Sequence, residues 1–282
     1  MMPHAAKLLP LFVLACTLSC QPIRLHAGEP IDRPEDFPQL DAATDWPWWR
    51  GPRRDGHAHP TARPPVKFGD TQSVIWKTPV PGRGHSSPVV VGPRIFLATA
   101  EDAAQSQSVV CFDRATGKQL WQTELSRGGF PRIHPNNTHA SPTCACDGER
   151  VFVTFHHHDQ LQAAALDLDG RIVWNKSLGE FRPDRYEYGY GPSPVLYRGT
   201  VIVAAEYDGP SFIAALDRRT GNEVWRTPRP TNMSYSTPSI LPIGGRDVMS
   251  ISGADLIAAY DPATGTPLWN VPGTSAATCG TI

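Results

Sequence analysis

The stretch "DRATGKQLW", residues 113–121, returns as "DRRTGNEVW" at 217–225 and as "DPATGTPLW" at 261–269, with a shorter relative, "DLDGRIVW", at 167–174. An aspartate, a glycine and a tryptophan at near-constant offsets describe either a row of binding sites or one structural device used four times. The spacing favours the device. Trp76, Trp121, Trp174, Trp225 and Trp269 follow one another at 45, 53, 51 and 44 residues. A second marker keeps step: "SSPVV" (Ser87, Pro88), "ASPTC" (Ser141, Pro142), "PSPVL" (Ser193, Pro194) and "STPSI" (Thr237, Pro238). Two markers sharing one period define a repeat of about 40 to 50 residues.

Each unit reads as four short strands. In the first, "SPVVV", "IFLATA", "SVVCF" and "QLWQTEL" are apolar or alternating runs, separated by "GPR", "EDAAQSQ" and "DRATGK". Later units repeat the scheme with "VFVTF" and "QAAAL", "VIVAA" and "FIAAL", "DVMSI" and "LIAAY". Runs of five or six residues punctuated by Gly and Pro are strand signals, and no stretch carries a helical period. The aspartates Asp113, Asp167, Asp217 and Asp261 are expected to open tight turns by accepting backbone N–H bonds. Gly117, Gly170, Gly221 and Gly265 close them, three of these glycines by supplying a positive φ in the nine-residue form. The tryptophans Trp121, Trp174, Trp225 and Trp269 then lie in the outgoing strand, ready to pack on a neighbouring sheet. Four-stranded sheets at this period predict an all-β chain, a β-propeller of four-stranded antiparallel blades with four complete blades visible. An immunoglobulin-like sandwich needs about 100 residues per unit and is excluded by the period.

Lys plus Arg (26) nearly cancels Asp plus Glu (27), so no net field draws the chain to nucleic acid. Residues 1–27 read as a leader: Lys7, then an apolar run from Leu8 too short to span a bilayer as a stop-transfer helix. Cleavage after Ala27 is expected to release an exported, periplasmic or cell-envelope protein. Cys16 or Cys20 is the alternative, as a lipidated cysteine and the sole route to membrane attachment. Residues 28–70 form an N-terminal arm and 71–282 the propeller region. Cys111, Cys144, Cys146 and Cys279 match neither a haem-attachment nor a four-cysteine zinc pattern and are expected to be small buried side chains. In the arm, "DWPWWRGPRRDG" offers three tryptophans and Arg50, either as a stacking platform or, the preferred reading, as a strap packed along the domain.

The "DxxTGxxxW" turn after an alternating strand, with an "S-P-V" strand opening each unit, resembles the pyrroloquinoline-quinone-like propeller repeat. Quinoprotein dehydrogenases and the outer-membrane assembly lipoprotein BamB share that repeat. The arm's "WPWWRGPRRDG" followed by "GHSSPVVVGPRIFL" resembles secreted repeat proteins of planctomycete-like bacteria. The resemblance covers about residues 46–282 and implies seven or eight blades. The four units, with "SVIWKTPV" around Trp76 as an orphan fourth strand, are therefore expected to be part of a larger, C-terminally truncated propeller. A quinoprotein is also expected to carry an adjacent cysteine pair, a calcium-holding Glu/Asn/Asp set and a catalytic Asp. No Cys-Cys occurs here, the repeated aspartates belong to turns, and Asn136, Asn137 and Glu187 are poor substitutes, so the residues present do not support a quinone with calcium as cofactor.

Function is expected where the segments before each first strand converge on one face. They bring together Arg83, His85, Arg132, His134, Asn136, Asn137, His139, Tyr186, Tyr188, Tyr190, Asn232 and Tyr235, as a ligand face or as loop ties. His85, His134 and His139 lack a recognised metal-ligand spacing. The run His156, His157, His158, Asp159 is assigned to a solvated hairpin. "GRGHSS" and "GYGPSP" precede strands where a phosphate loop needs a helix, and "GHSSP" lacks the nucleophile elbow's final glycine. The expectation is an exported, non-catalytic propeller that is a scaffold or binds a protein or small molecule at its mouth. The alternatives are a quinone-dependent dehydrogenase lacking part of its propeller, and a gene fragment without function.

Overall fold

A computed structural model describes Phe37 and residues 39–281. The leader and its cysteines lie outside the described residues. From Val89 onwards the chain forms four antiparallel four-stranded sheets, each with its strands in sequence order. Blade 1 is β1 (Val89–Val91), β2 (Arg94–Glu101), β3 (Ser106–Asp113) and β4 (Gln119–Arg127). Blade 2 is β5 (Ala145–Cys146), β6 (Arg150–His157), β7 (Gln160–Asp167) and β8 (Ile172–Glu180). Blade 3 is β9 (Val195–Tyr197), β10 (Thr200–Ala205), β11 (Phe212–Asp217) and β12 (Glu223–Pro228). Blade 4 is β13 (Ser239–Ile243), β14 (Arg246–Gly253), β15 (Leu256–Tyr260) and β16 (Pro267–Pro272).

The repeated turn forms as its chemistry requires. Thr116 donates to Asp113 Oδ1 from both its backbone N–H (2.8 Å) and its hydroxyl (2.7 Å). Those bonds hold the Asp113 carboxyl below the ordinary aspartate range. The Gly117 N–H closes the loop on the Asp113 carbonyl at 2.8 Å, and Gly117 itself stands at φ +71°. Asp217 builds the same turn, Asp261 keeps the Gly265 N–H closure but takes its side-chain bond from the Ala263 N–H, and Asp167 builds a version one residue shorter.

The glycine has a second task that the sequence does not announce. Trp76, ahead of blade 1, and the tryptophans of blades 1, 2 and 3 each lie over the turn glycine of the blade that follows. A Cβ on Gly117 would stand 2.5 Å from Trp76, one on Gly170 2.6 Å from Trp121, and one on Gly221 2.7 Å from Trp174. Gly265 is covered by Trp225 in the same way. The Trp76, Trp121 and Trp174 indoles also donate to the carbonyls of Arg114, Leu168 and Arg218, at 2.9, 3.0 and 3.0 Å. A register shift just before each tryptophan, between strands three and four, recurs in all four blades. This bulge re-aims the ring towards the next blade. The residue across from each ring is small: Cys111, Ala165, Ala215 and Ala259. Cys111 thus does the work of an alanine, and burial pushes its thiol up to about 11.

Near the inner strands a second set of contacts links the blades. Ser87 N–H donates to Thr143 Oγ1 (3.0 Å), Thr143 N–H to Ser193 Oγ (2.9 Å), and Ser193 N–H to Thr237 Oγ1 (3.0 Å). In the second unit the marker position therefore belongs to Thr143 and not to Ser141, two residues earlier. The arm crosses these inner strands. Trp46 exchanges backbone hydrogen bonds with Val90, Pro47 accepts from Cys146, and Trp48 is 1% exposed with its ring edge against Phe37. Residues 73–80 form no strand, correcting the orphan-strand expectation in part. Trp76 and Thr78 hold the segment on blade 1, but among the described residues no third strand lies beside it.

His158 and Asp159 lie in the exposed turn expected of the histidine run, but His156 corrects its assignment to a solvated hairpin. It ends the buried face of β6 at 4% exposure, edge-on to Phe181, with neither ring nitrogen hydrogen-bonded among the described residues. Removal from water lowers its pKa to about 4.

Two predictions follow from this packing. Gly170→Ala and Gly221→Ala should each destabilise the chain by about 1 to 3 kcal/mol, through a positive φ and a clash with the indole. Gly199→Ala, which meets nothing within 4 Å, should stay within about 0.5 kcal/mol of wild type. Urea midpoints check both. For His156, the unfolded side chain takes up a proton near pH 6.5 that the folded one refuses until about 4. The unfolded state then binds more protons, so stability falls as pH drops through that window, by on the order of 3 kcal/mol. Denaturation of His156→Gln should show most of that slope removed; an unchanged slope would refute the assignment.

Candidate functional site

The loops leading into the four inner strands, 81–88, 128–144, 181–194 and 229–238, meet on one face. Between them lies an open cavity of about 410 Å3. Six of the twelve candidate residues line it: His85, His134, Asn136, Asn137, Tyr188 and Tyr235. Tyr188 is central, with its ring 5.6 Å from His134, 6.1 Å from Tyr235 and stacked on Tyr186 at 5.9 Å. Its position is fixed from behind. Asn137 Nδ2 donates to the Tyr188 carbonyl, and Asn137 Oδ1 accepts from Ser141 Oγ. Asn137 is thus a loop tie that also borders the cavity. His134 is oriented by the Asn136 N–H, which donates to its Nδ1 at 3.2 Å.

The other six candidates, Arg132 of the adjoining groove included, lie elsewhere. Arg83 and His139 line an adjoining groove of about 420 Å3, where Arg83 Nη1 is 3.1 Å and His139 Nδ1 3.5 Å from Asp102. His139 is stacked on Phe130 and bonded through Nε2 to the Pro131 carbonyl at 3.0 Å. Tyr186 backs Tyr188 without lining the cavity. Tyr190 is a correction: at 5% exposure it belongs to the core, donates to the Ala204 carbonyl at 2.8 Å, and has its phenol pKa pushed up by burial. Asn232 is also a correction, since its Nδ2 holds Asp255 Oδ2 at 3.0 Å within the blade 4 loops.

Sequence reasoning missed the floor and one wall. The floor is Thr143, Ser193 and Thr237, the hydroxyls that accept backbone N–H bonds between blades. All three are at least nine-tenths buried, and none donates its own proton to another group among the described residues. Each hydroxyl has one donor and two acceptor sites, so three donors remain to be satisfied at the cavity. The wall comes from Trp49, whose indole donates to Thr281 Oγ1 at 3.1 Å, and from Cys279. The Ser/Thr-Pro marker was the signal for the floor; nothing in "WPWW" separated Trp49 from the buried Trp48. Burial raises the Tyr235 pKa, and its hydroxyl has no partner among the described residues.

No Lys, Arg, Asp or Glu lines the cavity. A quinone bearing several carboxylates and a calcium ion needs cationic and anionic partners, and this lining supplies neither. Glu187 faces Arg132 at 3.3 Å, outside the lining, and buried Cys144 and Cys146 are not adjacent residues. The residues present do not fit that cofactor. Among the described residues, no group of three or more His, Cys, Asp or Glu is placed to hold a metal ion.

Comparison with known proteins bears on the scaffold. A family model described as outer membrane protein assembly factor BamB matches residues 105–281. No curated protein matches the chain. Among solved structures, a europium-containing methanol dehydrogenase superposes with TM-score 0.49 at 16% identity, over 69% of this chain and 43% of that one. BamB from Moraxella catarrhalis gives 0.47 at 15% identity, over 70% and 54%. A quinohemoprotein alcohol dehydrogenase from Pseudomonas putida HK5 gives 0.47 at 15% identity, over 72% and 36%. The matched region is thus about a third to a half of each of those longer chains.

Proposed function

Since the chain belongs to the family of the outer membrane protein assembly factor BamB, we propose that it is a non-catalytic propeller of the cell envelope that binds a ligand at the mouth of its blades. One observation carries this reading: the arc of Thr143, Ser193 and Thr237, three buried hydroxyls with unused protons at the floor of an uncharged cavity. Buried donors left unsatisfied are costly, and a ligand that accepts from them recovers that cost. Above the arc, Trp49, Tyr188 and Tyr235 offer aromatic surface, and Asn136 and His134 offer polar groups at the rim. The lining suits an uncharged ligand with one flat apolar face and several hydroxyl or carbonyl oxygens. A small molecule or an uncharged peptide segment has that chemistry, whereas an anionic ligand would find no countercharge. The family resemblance and the export expected of the leader support the envelope as location.

Isothermal titration against neutral oligosaccharides and capped, uncharged peptides tests the proposal. Binding by one of these classes is expected, weakened at least about tenfold by Tyr188→Ala, with the unfolding midpoint nearly unchanged because that ring is half exposed. Turnover of an alcohol or sugar with an artificial electron acceptor, seen only after adding the quinone and calcium, would overturn it in favour of a dehydrogenase.

A further inference from the structure

The cavity at the mouth and the groove beside it share a wall. His134 and Asn137 line both, so the two spaces, of about 410 and 420 Å3, meet along one ridge. Their chemistry differs. The cavity lining has no Lys, Arg, Asp or Glu, whereas the groove carries Arg83, Arg132 and Asp102. Both arginines are anchored at the backbone. Arg83 exchanges backbone hydrogen bonds with Ala100, each 2.8 Å long, and Arg132 follows Pro131, whose carbonyl is held by His139 Nε2 at 3.0 Å. Their charge is only partly spent. Arg83 donates to Asp102 through Nη1, and Arg132 faces Glu187 through Nε at 3.3 Å, outside the groove lining. A guanidinium carries five N–H donors in a planar fork, so each arginine keeps donors free. Within the lining two guanidiniums face one carboxylate, which leaves a net positive charge.

On the reading of the cavity as a ligand site, we propose that the ligand is an acidic oligosaccharide, with neutral rings in the cavity and the carboxylate of a uronic acid in the groove between Arg83 and Arg132. The donors of the floor favour sugar over peptide. Thr143, Ser193 and Thr237 offer three hydroxyl protons, and a sugar hydroxyl accepts one while turning its own proton elsewhere. A peptide N–H is a fixed donor, and on the ridge it meets Asn137 Oδ1, which already accepts from Ser141 Oγ. The Tyr188 ring, half exposed and backed by Tyr186, is a platform on which the apolar face of a pyranose can stack. Charge then places the acid. Inside the cavity a carboxylate would lose hydration and find no countercharge, whereas one ridge away the free forks of two arginines can meet it.

Isothermal titration of the full chain with matched pairs tests this: a glucose tetrasaccharide against the same tetrasaccharide ending in glucuronic acid, and the corresponding galactose pair. The acidic member of one pair is expected to bind at least about fivefold tighter at low salt, with the gain shrinking as ionic strength rises. In the double variant Arg83→Gln with Arg132→Gln, whose side chains are 58% and 84% exposed, that gain is expected to fall below about twofold. If circular dichroism shows the double variant unfolded, Arg132→Gln alone is read in its place. Tyr188→Ala should weaken both members of the pair alike and keep their ratio. Neutral sugars that bind while the acid adds nothing, or a gain that survives loss of the arginines, overturn the groove and leave the cavity reading standing. If no member of either pair binds, the sugar assignment falls; binding of capped peptides then preserves the cavity reading alone, and silence from both classes removes that reading too.

Discussion

A tryptophan ring lying on a glycine of the next blade is the contact on which the rest of the architecture depends. Any side chain on the glycine would occupy the ring's own volume, so the contact needs glycine for space as well as for its positive φ. The ring reaches that position because a bulge turns it out of the ladder and because a cysteine or alanine opposite leaves room. Glycine, bulge, small partner and aspartate-opened turn are therefore one device.

Stacking by this device fixes what the inner strands can do. With successive blades held at one spacing, the Ser/Thr at the start of each inner strand comes within hydrogen-bond reach of the blade before it, and the run from Ser87 through Thr143 and Ser193 to Thr237 results. Their oxygens are spent on blade-to-blade bonds and their protons are not. A structural ladder thus becomes a row of donors facing a cavity. The arm adds to the same surface, since Trp46 and Trp48 tie it to the inner strands and so deliver Trp49 to the rim.

The repeat was legible because tight turns and indole packing impose residue types that survive in a single sequence: the aspartate, the glycine and the tryptophan each have few substitutes. The bulge was not legible, since the residues that occupy it, Leu120, Val173, Val224 and Leu268, are aliphatics that fit a regular strand equally well. Thr143 was hidden by the chance "SP" at Ser141, which mimics the marker two residues early. His156 and Tyr190 were misjudged for a shared reason: both pack edge-on to Phe181 of the loop entering blade 3, a contact that alternation and polarity cannot show. The loop face was legible only as a region. Which of its polar residues border the cavity, and which tie loops, depends on backbone paths that propensity does not encode.

The uneven period separates scaffold from site. Tryptophan spacings of 45 and 44 residues bracket blades 1 and 4, whereas those of blades 2 and 3 are 53 and 51. The loops before the inner strands of blades 2, 3 and 4 are residues 128–144, 181–194 and 229–238. The device itself needs none of the additional length, because Gly to Trp stays at four residues in every blade and blade 2 even shortens Asp to Gly by one. Much of the excess falls in the two loops that carry His134, Asn136, Asn137 and Tyr188 to the cavity. Residues beyond what stacking requires, gathered on one face above a row of unspent hydroxyls, are where this scaffold departs from pure repetition.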